Sequence, residues 1–509
     1  MLEKRQAVAP APNGPDGTYA VYISVSTCVT PKSSDPAAVC PPLILYVSTS
    51  TQIPMPGPGM NPDVVAMVTS TDGLIQYTAH ATKDVFFSVY SPAMQGSWTG
   101  GWSIEVGASS QGYAQRYDAA PGLVLDDTDN TNASFLSHNF TVGSMPTFKV
   151  YLVPASQYPA GLSRSVCAID AIQPLPLSKT TMTVSETNRT TFLDTPSTYG
   201  VLPGDPNPAV NGVRRQVRIT SLQPGTSYLA LFMTDVLQQS GAEVLYAMTP
   251  FKTKRDDNCL LLTDMSFCRE VAYSVPVTPL SSMPGGAGTT NASVPRTMTE
   301  VGKLYDDFAR NLMDNFDKVL GQYDCTQSSY SLIRNCTDCS RAYRRWLCSV
   351  SIPRCTDRED VTDLTNNIGY AAYATTTPDE RRNPYLKLKD PPPVVVPRNT
   401  STSRGAVVPL HQAQNPLFNP GDYGEVLPCI DLCYDVVQSC PSFLGFGCPN
   451  KNMAGSYAPM RAEGFQCNGL GLVSLPPPPP PSSGAVATLV ARHWNGLAVI
   501  VTLLGLVVF

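Results

Sequence analysis

Residues Tyr330-Ser-Leu-Ile-Arg-Asn-Cys-Thr-Asp-Cys-Ser-Arg-Ala-Tyr-Arg-Arg-Trp-Leu-Cys348 decide how this chain is to be read. Cys336-x-x-Cys339 opens a segment, Arg341 to Cys348, in which Cys339, Tyr343, Trp346 and Leu347 fall on one helical face. The segment belongs to a run that holds ten of the fifteen cysteines: Cys325, Cys336, Cys339, Cys348, Cys355, Cys429, Cys433, Cys440, Cys448 and Cys467. A zinc site or a redox dithiol could start with the same spacing. Ten cysteines without neighbouring histidine favour structural disulfides instead. Their connectivity stays open at this point.

Outward from that stretch, Thr297-x-x-Glu300 is a capping box, in which each residue satisfies a helix-end N–H of the other. Val301, Leu304, Tyr305, Phe308, Leu312, Phe316, Val319 and Leu320 follow at three- and four-residue intervals, and Gly321 supplies a stop. The pattern predicts a helix over 297–321 packed on the cysteine module. A second module helix is expected at Ile430–Cys440, with Cys429, Cys433, Val436, Val437 and Cys440 inward. Residues 370–425, with Pro391-Pro-Pro and few apolar anchors, are expected to form a mobile excursion.

The first half reads as β-structure. Seven strand-like runs, Tyr19–Ser26, Leu43–Ser48, Val64–Val68, Leu74–Ala79, Val85–Tyr90, Trp102–Val106 and Thr147–Val153, are punctuated by turn residues and indicate an antiparallel sandwich or barrel over 19–158. Cys28 and Cys40 are close enough in sequence to bridge. Trp98 and Trp102 read as core aromatics rather than as a ligand platform. Residues 159–275 form a second β domain. Its mark is Val217-Arg-Ile-Thr-Ser-Leu-Gln-Pro-Gly-Thr-Ser-Tyr, a tyrosine-corner arrangement similar to a fibronectin type III sandwich. Cys259 and Cys268 close its end, and Cys167 is left over. Residues 1–18 are expected to be disordered, and 276–296 to be a linker.

The compartment follows from three signals. Cysteine density is one. Six sequons, at Asn132, Asn139, Asn188, Asn291, Asn335 and Asn399, are the second. The tail is the third. A Pro-rich spacer over 471–484 leads through Ser482, Ser483 and Gly484 to a hydrophobic end, 485–509, whose unbroken apolar part is Gly496–Phe509. As a helix that part would rise about 21 Å, short of the roughly 30 Å hydrocarbon core. Small residues, a polar spacer and an apolar end match a GPI-attachment signal, with attachment at Ser482, Ser483 or Gly484 and a C-terminal transmembrane helix as the alternative. Met1-Leu-Glu-Lys-Arg-Gln has no apolar core of a signal peptide, so the sequence is expected to start after its true signal.

Several functions are disfavoured. Charged residues make up 15% of the chain and the net charge is −5, which gives no basic footprint for nucleic acid. His80, His138, His411 and His493 stand in unrelated contexts, and no metalloprotease, nucleophile-elbow or phosphate-loop motif occurs. Neither enzymatic activity nor a cofactor is expected. Asp126-Asp127-Thr128-Asp129-Asn130 has the look of a calcium loop. Counted from Asp127, however, an EF-hand needs Gly and Glu where Asn132 and His138 stand, so it reads as a solvated, glycosylated loop. Arg341, Arg344 and Arg345 beside Trp346 are a candidate partner-binding patch, with a solvated helix face as the alternative.

Phe308-Ala-Arg-Asn-Leu-Met, Tyr323-Asp-Cys, Arg334-Asn-Cys-Thr-Asp-Cys-x-x-Ala-Tyr-x-x-Trp-Leu-Cys, Ile352-Pro-Arg-Cys and Leu427-Pro-Cys-Ile-Asp-Leu-Cys-Tyr-Asp-Val-Val-Gln-Ser-Cys-Pro together resemble the fungal stretch-activated calcium channel component, the mating-pheromone-induced death protein family. The matching residues lie in 305–467; earlier in the chain the resemblance is one of architecture. It implies a multidomain fold, with two N-terminal antiparallel β-sandwich-like domains followed by an α-helical, disulfide-rich, frizzled-like cysteine-rich domain over 297–470. It also implies an accessory subunit on the outer face of the plasma membrane. The partner would be a large four-repeat, voltage-gated-type calcium channel pore subunit, which the cysteine module would dock on. A GPI-anchored adhesion or ligand-binding glycoprotein is the alternative.

Overall fold

The structure, a computed structural model, describes residues 17–475 except for short gaps and the longer stretches 173–181, 187–211, 236–242, 281–296, 324–333, 358–394, 408–417 and 449–455. Asn139, Asn188, Asn291, Cys325 and the attachment residues Ser482, Ser483 and Gly484 lie outside the described residues.

The first sandwich is built from β1 (Tyr19–Val29), β2 (Ile44–Ser48), β3 (Val65–Thr69), β4 (Leu74–Ala81), β5 (Phe86–Tyr90) and β6 (Ser103–Ser109). One sheet has the order β4-β1-β6 and the other β3-β2-β5, all pairs antiparallel. Alternation along β1 sends Ile23 and Val25 into a core with Leu45, Val47, Ile75 and Ala79. Ser24 and Ser26 on the opposite face are buried too. They are covered by a strap that arrives from much later in the chain.

The strap contains α1 (Val166–Ile172). Ser165 Oγ lies 2.9 Å from Ser26 Oγ and donates to the Thr27 carbonyl at 2.7 Å. Arg164 pairs with Asp72 at 3.3 Å. The neighbouring Gly73 has φ +86°, and a Cβ there would meet Leu162 Cδ2 at 2.8 Å, so both conformation and space require glycine. Cys28 is bonded to Cys167 across this contact, and Cys40 is free. The expected Cys28–Cys40 proximity is therefore corrected. A partner 139 residues away is brought in by tertiary packing that loop length does not reveal.

The second sandwich takes β7 (Gln115–Pro121), β8 (Leu123–Thr128), β9 (Ala133–Ser137), β10 (Phe148–Pro154), β11 (Met182–Glu186), β12 (Arg215–Ile219), β13 (Ser227–Asp235), β14 (Glu243–Ala247) and β15 (Thr249–Lys252). One sheet runs β8-β9-β12-β11. The other runs β10-β13-β14-β7, with β15 also on β13. Phe135, Val150, Val217, Tyr228, Phe232 and Phe251 meet between them. β8, β9 and β10 lie before the expected 158/159 boundary, yet they share these sheets with strands beyond it. The sheets divide between β6 and β7 instead, because strand partners are chosen by long-range pairing. The tyrosine corner is present: the Tyr228 hydroxyl accepts from Gln223 N at 3.1 Å.

The hairpin β16 (Cys259–Leu262) and β17 (Tyr273–Pro276) packs on the cysteine module rather than closing the second sandwich. Cys259 is bonded to Cys355, and Cys268 to Cys348. The module helices are α2 (Met298–Leu320), α3 (Cys336–Ser351) and α4 (Ile430–Ser439). The capping box forms as the sequence predicts, with Glu300 N donating to Thr297 Oγ1 at 3.2 Å and Thr297 N to Glu300 Oε2 at 3.1 Å. Val301, Tyr305, Ala309, Met313, Phe316 and Leu320 are buried on α2, while Leu312 and Val319 are 39% and 43% exposed. The buried face is rotated from the expected stripe toward Asp306, a buried polar residue that hydrophobic periodicity cannot flag. On α4, Val437 faces outward.

Cys339–Cys440 links α3 to the end of α4, and Cys429–Cys467 and Cys433–Cys448 secure the flanking segments. Cys336 is also disulfide-bonded. The expected excursion over 370–425 is corrected where it is described. β18 (Arg354–Thr356), β19 (Val395–Arg398) and β20 (Tyr423–Val426) form a sheet of order β18-β20-β19. Val395, Val396, Val407, Phe418 and Tyr423 are buried. Apolar residues set among prolines are enough to tie this segment into the core.

Candidate functional site: the charged junction and the module face

β8 carries Asp126 and Asp127 out of the second sandwich and into a turn. Asp129 Oδ1 accepts from the Thr131 and Asn132 amides at 2.8 and 2.6 Å, closing the turn. Its Oδ2 accepts from Leu261 N at 3.0 Å, which fixes the hairpin of the next body against it. Asp127 is buried. Its Oδ1 accepts from Lys254 Nζ at 2.7 Å, and its Oδ2 from Arg354 Nε at 3.0 Å and Ser274 N at 3.2 Å. The Arg354 guanidinium also bonds the Asp126 carbonyl and lies 5.1 Å from the centre of the Tyr273 ring. A carboxylate of the sandwich is thus shared between a lysine of the sandwich's end and an arginine of the module.

Burial pushes the Asp127 carboxyl up, but the Lys254 and Arg354 cations outweigh it and hold the group below its ordinary value. Asp357 mirrors the arrangement from the module side, accepting from Arg255 N at 2.7 Å and Asp256 N at 3.3 Å. Asn258 Nδ2 donates to the Asp422 carbonyl at 2.8 Å. These carboxylates are engaged by cations and amides, so the expected solvated loop at 126–130 is a buried junction. Among the described residues no group of three or more His, Cys, Asp or Glu side chains could hold a metal ion.

Two further carboxylates organise the module. Asp306 on α2 accepts from Ser266 N at 2.7 Å, Phe267 N at 2.8 Å and Cys268 N at 2.9 Å, which positions Cys268 for its bond to Cys348. Glu425 is fully buried and accepts from Arg398 Nε at 2.6 Å and from Arg404 Nε. Sequence reasoning missed Arg354, Lys254, Asp306 and Glu425. Nothing in their local sequence sets these charges apart, and only a distant partner gives each its role.

The residues of the candidate patch are largely committed inside the module. Arg344 pairs with the buried Glu270 at 2.6 Å. Arg345 pairs with Asp435 at 3.9 Å, and Trp346 Nε1 donates to the Tyr457 hydroxyl at 2.8 Å. Arg341 alone of the four is exposed, in a one-turn pair with Asp338 at 3.5 Å. The module's exposed apolar side chains lie elsewhere: Leu312 and Val319 on α2, Tyr434 and Val437 on α4, and Phe443, whose ring stands 4.3 Å from that of Tyr323.

The buried charges of the junction join the second sandwich to the module. Residues 20–473 match the Mid1 family, described as "Stretch-activated Ca2+-permeable channel component". The match takes in both sandwiches and the cysteine module, and the chain belongs to that family, which is one of membrane-associated channel components and not of enzymes. Among its relatives is the stretch-activated cation channel yam8 of Schizosaccharomyces pombe, 28% identical over 66% of this chain and 56% of the relative. The stretch-activated cation channel MID1 of Saccharomyces cerevisiae is 27% identical over 69% of this chain and 58% of the relative. That of Cryptococcus neoformans is 28% identical over 64% and 46%. The chain thus spans about half the length of the curated relatives it matches. Of solved structures, the FN1–FN3 domains of chicken CNTN1 align at 10% identity over 42% of this chain and 54% of theirs, with a TM-score of 0.15, too low to bear on the fold.

Proposed function

We propose that the chain is a regulatory accessory subunit of a calcium influx channel at the fungal plasma membrane. In this reading a frizzled-like cysteine module, held outside the membrane by a GPI-type anchor, docks on the extracellular loops of a large four-repeat, voltage-gated-type pore protein and supports calcium entry under stretch or stress. The observation that carries the reading is the family match across 20–473. Supporting it, the module and its hairpin are cross-linked internally, by Cys259–Cys355 among other bonds, and meet the second sandwich through the Asp127–Arg354 pair and the Leu261–Asp129 hydrogen bond. Purifying the tagged full-length protein from gently solubilised membranes should recover a polytopic four-repeat protein, and deleting the gene should lower stimulated calcium uptake. Absence of such a protein together with normal uptake would reject the proposal.

A further inference from the structure

The three sequons whose asparagines are described differ in which carboxamide atom the fold uses. Asn335 is exposed and caps α3 through its oxygen: Oδ1 accepts from Thr337 N at 2.8 Å and Asp338 N at 3.1 Å. Asn399, also exposed, does the same in a turn. Its Oδ1 accepts from Ser401 N at 3.0 Å, Thr402 N at 2.9 Å and Thr402 Oγ1 at 3.0 Å. Asn132 works through its nitrogen. Nδ2 donates to Asp129 Oδ1 at 2.9 Å and Oδ2 at 2.8 Å, and lies 3.2 Å from Thr131 Oγ1. Asp129 is 1% exposed. Ser134, the hydroxyl residue of this sequon, is fully buried and donates to Asp126 Oδ2 at 3.0 Å.

We propose that the protein carries N-linked oligosaccharide at Asn335 and Asn399, and that Asn132 stays unmodified because its carboxamide nitrogen is part of the junction. Transfer from a lipid-diphosphate-linked oligosaccharide forms a bond from Nδ2 to the sugar's anomeric carbon. It breaks that carbon's bond to the diphosphate and releases the lipid diphosphate and one Nδ2 proton. At Asn335 and Asn399 the acceptor role of Oδ1 survives this change, and an exposed residue leaves room for the sugar. At Asn132 one remaining N–H would have to serve two carboxylate oxygens. A sugar would also be pressed against Asp129, which accepts from the Thr131, Asn132 and Leu261 amides. Chains modified there before folding would not close the turn that seats the module, and would be lost from the folded population.

The proposal rests on passage through the secretory pathway, as the accessory-subunit reading requires. The test uses full-length protein purified from fungal membranes, with glycans removed by a peptide amidase in 18O water so that each modified asparagine becomes 18O-labelled aspartate. Peptide mass spectrometry should find the label at Asn335 and Asn399, and unaltered asparagine at 132. Label at Asn132 in most molecules, or its absence at Asn335 or Asn399 with label at other sequons, overturns the proposal. Absence at every sequon overturns the secretory reading with it. Two variants add an independent readout. Asn335→Asp keeps the capping oxygen and should increase gel mobility by one glycan with little change in melting temperature. Asn132→Gln should leave mobility unchanged and lower the melting temperature; a mobility change in Asn132→Gln would contradict the assignment.

Discussion

Arg354 of the cysteine module donates to Asp127 of the second sandwich at 3.0 Å, with both side chains out of solvent, across 227 residues of sequence. The contact defines how the two bodies sit. Lys254 pairs with the carboxylate's other oxygen at 2.7 Å, so Asp127 and Arg354 are two members of a buried triad and not an isolated bridge. Removing one partner from such a site leaves an uncompensated buried charge, which costs about 3–5 kcal/mol.

Asp127→Asn, which leaves both cations unpaired, should lower stability by an amount in that range, and Arg354→Met, which leaves the Asp127–Lys254 pair in place, should cost less. The double variant should be less destabilised than the sum of the two, because it leaves fewer orphaned charges. Chemical denaturation of the four proteins measures the coupling. Strict additivity would mean that the pair does not act as a unit.

Acid should loosen the same junction. The Asp127 carboxyl lies below its ordinary value in the folded protein, so its contribution is complete above about pH 4, the unfolded aspartate value. It is lost as pH falls through the lower folded value. Melting temperatures from pH 7 to 3 should therefore show an acid-side loss that is smaller in Asp127→Asn. An identical decline in both proteins would assign the acid sensitivity to other groups.

The strap over the first sandwich gives a third expectation. Cys167→Ala should cost about 2–5 kcal/mol, the usual effect of losing a native disulfide, while Cys40→Ser should leave stability close to unchanged. Limited proteolysis should cut the 155–172 strap in Cys167→Ala and spare it in Cys40→Ser. The reverse order would refute the Cys28–Cys167 pairing.

Within the module, Arg344→Ala and Trp346→Ala should lower folding yield, since each removes a contact that joins elements. Arg341→Ala should fold normally, because its pair with Asp338 lies at the surface, where such pairs contribute about 0–1 kcal/mol. Surface abundance of the three variants checks this. Equal abundance would return Arg344 and Trp346 to the role of free contact residues.

What the sequence disclosed and what it hid divide by range. The α2 cap was legible because Thr297 and Glu300 are three residues apart, and the Tyr228–Gln223 corner because its partners are five apart. The burial of Cys339, Cys433 and Cys440 could be read from helical period. The partner of Cys28, the company of β9, and the docking of β19 could not, because tertiary pairing settles them, for Cys28 across 139 residues. The 126–130 segment shows the limit most clearly. Three aspartates in five residues look solvated until Lys254, Arg354 and Leu261 N are brought to them. The candidate patch was legible to the same degree: Glu270, Asp435 and Tyr457, which engage Arg344, Arg345 and Trp346 from within the chain, are distant in sequence.

In the proposed function this body acts on a pore formed by another polypeptide. The most direct measurement is co-purification of the full-length protein from fungal membranes, followed by mass spectrometry of what it retains, with Asp127→Asn carried in parallel. The account predicts a polytopic four-repeat channel protein in near-stoichiometric amount with the natural protein, and less of it with the variant. A preparation that repeatedly contains no such channel, from cells whose stimulated calcium uptake does not depend on this protein, would contradict it.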